Sequence, residues 1–266
     1  MHSTLFQIGD FTVHAFGLCL ALGFLAGWNA AVYLYKAIRR NPDDLSGLVV
    51  TMMISGVLGG RVAYVLEHWT SEFKDNPMQI FRIDQGGLMF YGGLILAAIA
   101  ASIYIRLKKE NFFETADIIM TCLPIGQAFG RIGCFMHGCC HGAQASWGVC
   151  FPKGSPAWLL QVGEGQIPRT ALSSLPVIPT QLFESGAAAL LFLGLFFGAP
   201  KLRKYPGLAT ALYLDGYAII RFCIEIMRGD VRMAVGIFSI SQFISLCLMA
   251  LSALVVLVNI KRWKNS

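Results

Sequence analysis

Arginine and glutamate residues in apolar surroundings are the features of this sequence most able to do chemistry. Arg61 follows two glycines, Arg131 stands in a Gly-Arg-Ile-Gly segment, and Arg221, Glu225 and Arg228 are spaced for one helical face. An ionisable residue in a membrane helix costs roughly 2.5–3.5 kcal/mol on insertion scales, which favours a functional role. Because a guanidinium binds phosphate oxygens bidentately, converging arginines favour a phosphate ligand. The alternatives are arginines that reach the membrane interface and a structural Arg221–Glu225 pair.

Five side chains with soft-metal ligand chemistry lie within the segment Cys134–His141: Cys134, His137, Cys139, Cys140 and His141. Their spacing matches no standard zinc template, and two of the thiols could instead form a disulfide in an oxidising compartment. We favour packed free thiols with no metal, and the metal and disulfide alternatives stay open. Four further cysteines fall in apolar segments and are expected to be small apolar fillers: Cys19, Cys122, Cys223 and Cys247.

Paired glycines form a third pattern, at Gly59-Gly60, Gly86-Gly87 and Gly92-Gly93. Small residues let helices approach closely, or let backbone amides approach a ligand. Helix packing alone would explain an isolated pair of glycines. The run at 85–94 holds four glycines and two aromatic residues where an apolar segment begins, and it favours a ligand contact.

The composition indicates whether these residues lie in a soluble protein or in a membrane protein. The 266-residue chain is 56% hydrophobic and 14% charged, with mean hydropathy +0.61. Soluble domains carry about 25% charged residues, so the chain is expected to face lipid over most of its length. The net charge of +6 is spread in small groups with no basic stretch among aromatics, which argues against nucleic-acid binding.

The apolar segments predict an all-α integral membrane protein with about seven transmembrane helices. A span needs about 20 residues, and the fourth segment is the shortest. The segments are 13–34, 45–66, 88–106, 113–128, 182–199, 207–224 and 236–259.

The distribution of basic residues predicts how these spans are oriented in the membrane. Alternate loops and the C-terminal tail each hold three, and the positive-inside rule places these sets in the cytoplasm. The N-terminus and the segment 129–181, between spans four and five, then face outward. That segment is too small for a separate domain, so it is predicted to be a loop or cap on one membrane domain, 1–266. The sets are Lys36, Arg39, Arg40; Arg106, Lys108, Lys109; Lys201, Arg203, Lys204; and Lys261, Arg262, Lys264.

At these residues the chain resembles the prolipoprotein diacylglyceryl transferase family. Its matching segments occur in order over nearly the whole chain, which makes the set more specific than any one motif. They are His14–Gly17, Gly60-Arg61, the Gln-Gly-Gly…Gly-Gly-Leu run at 85–94, Gly130–Gly133 through Gly142, Trp147-Gly148, Phe151-Pro152, Pro179–Glu184, Arg221 with Glu225, and Ser241-Gln242.

The resemblance implies a bacterial inner-membrane enzyme with several spans. It would transfer the diacylglyceryl group of phosphatidylglycerol to the lipobox cysteine of a prolipoprotein signal peptide, forming a thioether. Phosphatidylglycerol, prolipoproteins and membrane lipids are the implied partners, and no cofactor is expected. The resemblance implies functional roles for Arg131, Arg221, Glu225 and Gly142. The predicted catalytic residues are Arg131, Arg221 and Glu225, to which we add Tyr91 and His137 as candidates for activating the thiol. The predicted phosphatidylglycerol-binding residues are Arg131, Arg221, Arg61, Gly92, Gly93, Gly142 and Gln181.

The chain departs from the family pattern at five polar positions: Phe16, Tyr91, Cys134, Cys139 and Ile178. Tyr91 replaces the histidine that would activate the thiol. His137 or His141 could take over, because imidazole has a pKa suited to the task. Two rival interpretations follow. One is a family member that binds lipid headgroups without this activity, and the other is a membrane thiol or metal-binding protein that uses Cys134–His141.

Overall fold

The computed structural model describes residues 4–8, 11–74, 76–82, 86–228, 234–235 and 238–264. The chain divides into two compact units. Unit 1 comprises Met1–Ala31 and Ala116–Ser266, and unit 2 comprises Val32–Thr115. The prediction of one membrane domain over 1–266 stays a prediction. Gln85 and Arg232 lie outside the described residues.

Helices dominate both units, and the described residues contain eight α-helices. Seven are long and α5 is short. Their bounds are α1 Ala15–Ala37, α2 Pro42–Glu67, α3 Phe90–Leu107, α4 Phe112–His137, α5 Pro156–Gly163, α6 Thr180–Leu202, α7 Leu208–Ile226 and α8 Ile240–Lys264. A π-helical turn, Trp69–Phe73, and a 3₁₀ turn, Pro77–Phe81, follow α2.

Short strands, which the sequence patterns did not predict, occur in unit 1. β1, Thr4–Ile8, pairs antiparallel with β2, Phe11–His14, before α1 begins. β3, Gln144–Val149, lies between α4 and α5. Before α8, β4, Ala234–Val235, pairs antiparallel with β5, Phe238–Ser239.

Six of the helices are long and apolar enough to cross a membrane, by length and composition: α1, α2, α3, α4, α6 and the part of α8 from Ile240 to Ile260. Large apolar side chains such as Leu190 and Phe197 lie exposed on α6, as lipid contact requires. The protein is therefore a helical integral membrane protein. α7 has 19 residues, about 28 Å at 1.5 Å per residue, but carries Asp215, Arg221 and Glu225. The count of seven spans stays a prediction.

The fourth predicted span was wrong at its end, because α4 continues nine residues past Ala128 to His137. Arg131 therefore lies inside this helix rather than after it. Of the two glycines near Arg131, Gly133 makes room for α1. A Cβ on Gly133 would lie 2.9 Å from the Phe16 ring and 3.3 Å from the Cys19 Cβ, whereas one on Gly130 would meet Leu20 at an ordinary contact distance of 3.8 Å.

The connection between α4 and α6 is correspondingly shorter than the predicted loop 129–181. It packs around its own small core of Phe151, Ala157 and Val177, against which Phe135 of α4 lies edge-on. Ser155 caps α5 by accepting a hydrogen bond from the Trp158 amide at 3.3 Å. An ordered connection of this kind can hold functional groups in fixed positions, whereas a flexible one could not.

Unit 2 is built around the α2–α3 pair, and glycines set how closely these helices approach. A Cβ on Gly59 would lie 2.5 Å from the Gly92 carbonyl oxygen, and one on Gly93 would lie 2.7 Å from that of Gly56. Any side chain here would force the helices apart. Gly92 and Gly93 therefore have a packing role, and their predicted contact with phosphatidylglycerol stays a prediction.

A polar cluster around Arg40 links two helix connections of unit 2. Arg40 donates to Glu110 at 3.0 Å, to Glu114 at 2.6 Å and to Thr115 at 2.8 Å. Nearby, Lys108 pairs with Asp44 at 2.6 Å, and this hydrogen bond raises the pKa of Lys108. These bonds tie the α1–α2 connection to the α3–α4 connection, the two places where the first two predicted sets of cytoplasmic basic residues fall.

Candidate active site

Two arginines from different helices of unit 1 meet at one buried carboxylate. Glu184, in the second turn of α6, lies 2.8 Å from Nη2 of Arg131 on α4 through Oε1. Its Oε2 lies 3.6 Å from Nη1 of Arg221 on α7. The Glu184 side chain is only 6% exposed, so both contacts are shielded from solvent. The structure thus brings together Arg131 and Arg221, two of the arginines that the sequence predicted to converge.

A second carboxylate and a hydroxyl hold Arg221 from its other side. Arg221 Nη2 donates to Glu225 Oε2 at 2.8 Å, one helical turn along α7, and to Ser241 Oγ at 3.0 Å, near the start of α8. The pairing of Arg221 with Glu225 follows from the four-residue spacing. Helices α4, α6, α7 and α8 therefore contribute to one network, which contains two cationic and two acidic side chains.

Two buried polar atoms of this site have no hydrogen-bond partner among the residues that the structure describes. They are Nη1 of Arg221, whose distance to Glu184 exceeds that of a hydrogen bond, and Oε1 of Gln181 at the start of α6. Buried polar atoms are nearly always hydrogen-bonded in folded proteins. The N–H group of Arg221 can therefore take an acceptor from a ligand, and the Gln181 oxygen can take a donor.

A cavity of about 460 Å³ in unit 1 reaches this network. Arg131 and Glu184 line it together with a mostly apolar wall, which suits a ligand with a charged head and a hydrocarbon body. Phe16 belongs to this wall, so the hydroxyl expected from the family pattern is replaced by an apolar ring. Other apolar residues of the lining are Leu20, Phe24, Leu123, Leu191 and Ile220.

Three cysteine thiols form a cluster beside the cavity. The sulphur atoms of Cys134, Cys139 and Cys140 all lie within 4.8 Å of one another, and Cys134 also lines the cavity. None of the three is joined in a disulfide. Hydrogen bonds from Cys134 and Cys139, with Arg228 nearby, lower the pKa of Cys140, and the bonds to Cys134 and Cys140 raise the pKa of Cys139.

The two histidines of the same segment occupy different environments. His137 ends α4 and is exposed. His141 is buried, and its Nδ1 lies 2.9 Å from the Gly142 carbonyl oxygen. Gly142 itself donates to the Ile178 carbonyl at 2.8 Å, and a Cβ there would lie 2.6 Å from the Met227 carbonyl oxygen. Gly142 thus allows the connection to lie against the end of α7, and a substrate contact for it stays a prediction.

The remaining predicted site residues belong to unit 2. All five N–H groups of Arg61 donate to main-chain carbonyls, at 2.5 to 3.2 Å. The acceptors are the carbonyls of Ile80, Gly86, Gly87, Gln79 and Arg82. Arg61 is buried and Tyr91 is exposed at the start of α3, with its ring edge-on to Phe90. Arg61 therefore has a structural role, and the substrate role predicted for it remains a prediction, as does that of Tyr91.

Glu184 is the residue of the network that sequence reasoning missed. It ends the matched segment Pro179–Glu184, and it is an acidic residue within an apolar segment, which by itself marks a candidate. Helical spacing relates Arg221 only to residues on its own helix, so it could not reveal a partner on another helix.

Comparison with known proteins gives independent evidence on the family of this chain. A family model described as prolipoprotein diacylglyceryl transferase matches residues 3–258. Phosphatidylglycerol–prolipoprotein diacylglyceryl transferase 2 of Clostridium perfringens is 33% identical over 269 residues, covering 100% of this chain and 97% of the relative. The corresponding transferase of Stenotrophomonas maltophilia is 32% identical, covering 96% and 90%. That of Nostoc is 34% identical, covering 93% and 85%.

Proposed function

The chain belongs to the prolipoprotein diacylglyceryl transferase family, and we propose that unit 1 carries out the transfer that the names of its relatives describe. The chain is then a membrane enzyme that moves the diacylglyceryl group of phosphatidylglycerol to a prolipoprotein. Full-length similarity and the buried arginine network favour this function over lipid binding alone and over a thiol or metal protein without transferase activity.

Phosphatidylglycerol fits the cavity and the network together. One acyl chain lies along the apolar wall, and the phosphate lies against Arg131 and Arg221. The observation that carries this assignment is Nη1 of Arg221, a buried N–H group that lacks an acceptor among the described residues. A phosphate oxygen would supply that acceptor with a charge-assisted hydrogen bond. The Gln181 carbonyl oxygen would accept from a hydroxyl of the lipid's terminal glycerol.

The reaction is displacement at a glycerol carbon. The sulphur of the prolipoprotein cysteine forms a bond to the diacylglyceryl carbon that carries the phosphate ester, and the carbon–oxygen bond breaks. The electron pair of that bond leaves with glycerol phosphate. Arg131 and Arg221 stabilise the charge that grows on the leaving phosphate, while Glu184 and Glu225 hold both guanidinium groups in position.

The thiol proton needs an acceptor. His137 is the acceptor we propose, because its exposed imidazole lies three residues after Cys134 at the end of α4, close in sequence to the cavity lining. Tyr91 is the second candidate and belongs to unit 2. Replacing His137 by Ala and Tyr91 by Phe separates the two assignments through the pH profile of transfer, which only loss of the proton acceptor would change.

The finer features of the cellular role follow as parts of the same proposal. The enzyme lies in the bacterial inner membrane with its N-terminus outside and its C-terminus in the cytoplasm. The α4–α6 connection then faces outward, where it meets the lipobox cysteine of an exported signal peptide. Three sets of basic residues lie at the short helix connections 38–41, 108–111 and 203–207, and a fourth near the end of α8.

Transfer of labelled diacylglyceryl from phosphatidylglycerol to a lipobox peptide, with purified protein in liposomes, tests the function. Wild-type protein is expected to label a peptide with cysteine and not one with serine at the acceptor position. Arg221→Ala should lose the activity, whereas Arg169→Ala, an exposed arginine of the α4–α6 connection, should keep it. Wild-type protein that binds phosphatidylglycerol but never labels the cysteine peptide would refute the transferase assignment.

A further inference from the structure

The three thiols of Cys134, Cys139 and Cys140 are more than a chance grouping of packed cysteines. Their sulphurs lie within 4.8 Å of one another although Cys134 belongs to α4 and the other two to the connection that follows. Tetrahedral zinc with Zn–S bonds of about 2.3 Å holds its sulphur ligands about 3.8 Å apart. Small side-chain rotations would therefore bring the three thiols onto one ion.

The backbone that carries the thiols is fixed on several sides. Gly138 has φ +84° and donates to the Cys134 carbonyl at 2.9 Å, which turns the chain at the end of α4. Gln181 donates to the Cys139 carbonyl at 2.6 Å, and Thr180 donates to that of Cys140 at 2.9 Å. Both donors stand at the start of α6, so the ligand positions are set before any ion binds.

Charge around the cluster also suits a metal thiolate. Three thiolates and one divalent ion carry a net charge of −1. Arg228 and Arg131 both interact electrostatically with Cys140, and Arg131 also interacts with Cys134. These cations offset the excess negative charge, which a partly buried cluster in a membrane protein would otherwise hold at a high cost.

The number of ligands indicates what kind of site this is. Among the described residues, the group that could hold an ion contains these three cysteines and no fourth His, Cys, Asp or Glu. Structural zinc sites are closed by four protein ligands, whereas catalytic sites have three and leave one position for substrate. Because Cys134 lines the cavity that Arg131 and Glu184 also line, the open position would lie beside the lipid phosphate.

In place of the free thiols expected from the sequence, we propose that Cys134, Cys139 and Cys140 bind Zn²⁺, and that the cysteine thiol of the prolipoprotein takes the fourth position. This inference rests on the proposed function. Bound zinc would lower the pKa of the incoming thiol, whose proton would pass to water. The thiolate sulphur would then form the carbon–sulphur bond while the carbon–oxygen bond to phosphate breaks and its electron pair leaves with glycerol phosphate. No oxidant or reductant is needed.

Metal binding tests the site without any transfer assay, so its failure is distinct from failure of the transferase assignment. Full-length protein is purified in detergent with a reductant, loaded with Zn²⁺, freed of excess ion, and its metal content measured. Wild-type protein and Cys150→Ser, an exposed cysteine of the same connection, should retain about one ion per chain. Cys139→Ser should lose it, and Cys139→His, which keeps a zinc ligand, should retain it.

Cobalt loading tests the open position. Thiolate-to-Co²⁺ charge transfer gives an intense absorption band, which a lipobox peptide with cysteine should strengthen and shift and a serine peptide should leave unchanged. Equal zinc in wild type and Cys139→Ser, or none in wild type after loading, would overturn the site. So would a disulfide among the three cysteines in protein isolated with its thiols blocked. A cobalt band that ignores the cysteine peptide would overturn the role of the fourth position.

Discussion

Oε1 of Glu184 lies 2.8 Å from Nη2 of Arg131, which joins the second turn of α6 to α4 through a buried ion pair. The other oxygen of the same carboxylate faces Arg221 at 3.6 Å. Without Glu184, the guanidinium groups of Arg131 and Arg221 would repel each other with Glu225, which pairs with Arg221, as the remaining acid of the network. The acid therefore allows the two cations that we propose as phosphate ligands to remain close in the absence of lipid, and it holds both in a fixed orientation.

Replacing Glu184 by Gln should impair transfer and lower stability together. The amide keeps the shape but leaves two buried cations with less compensation, and breaking a buried pair costs about 3–5 kcal/mol. Thermal unfolding in detergent and transfer to a lipobox peptide measure the two effects. Glu164→Gln, an exposed acid of unit 1, is the matched control and should change neither. Full activity and stability in Glu184→Gln would exclude the anchoring role.

Arg131→Lys should be impaired nearly as much as Arg131→Ala. Lysine keeps the charge but loses the planar fork with which Arg131 contacts Glu184 and would, in the proposed function, bind phosphate oxygens at the same time. Loss of one donor to a charge that grows in the transition state commonly costs on the order of 10²–10³ in rate. The measurement is the transfer rate at saturating phosphatidylglycerol. A Lys variant close to wild type would mean that Arg131 acts only as a point charge.

Arg61→Lys should destabilise unit 2 because lysine cannot reproduce five hydrogen bonds to main-chain carbonyls. A hydrogen bond from a charged group contributes about 1.5–3 kcal/mol, so the loss of several should lower the stability measurably. The expected signature is a lowered unfolding temperature, with the KM for phosphatidylglycerol unchanged in the folded fraction. A raised KM at an unchanged unfolding temperature would instead assign Arg61 to the substrate, as the family resemblance implies.

The sequence predicts the membrane helices well, because uninterrupted apolar segments of about 20 residues are rare in soluble domains and are the length that a bilayer requires. It fails at the end of α4, where Gly130 and Gly133 suggest a terminus. A glycine inside a helix and a glycine after it look alike in sequence. Only the packing of α1 against this strip decides between them, and that packing is a contact between distant segments.

The site is predictable from the sequence to the same extent, and its prediction fails for the same reason. Arg221 and Glu225 lie on one helix, so their four-residue spacing alone pairs them. Glu184 meets Arg131 from another helix, and no spacing rule expresses that contact. The thiol cluster is partly predictable from the sequence. Cys139 and Cys140 are adjacent in sequence, but their approach to Cys134 depends on the turn at Gly138.

The last prediction concerns membrane orientation, and its outcome depends on whether α7 crosses the bilayer. Reporter fusions after Arg40, Lys109, Lys204 and Lys264 should read cytoplasmic, and one at Gly163, the end of α5, should read external. The basic sets at alternate connections supply the reason, since Lys and Arg are retained on the cytoplasmic side. If α7 crosses the membrane despite its three charged residues, α8 must bring Lys264 back to the cytoplasm.

The fusion at Lys264 separates seven spans from six. With α7 outside the bilayer, Lys204 would still read cytoplasmic but Lys264 would read external, because α8 alone would then cross after α6. That outcome would also place Arg221 outside the membrane-spanning helices. An external reading at Gly163 together with a cytoplasmic one at Lys264 is the combination that the arginine network requires, since it places α6, α7 and α8 across the same bilayer.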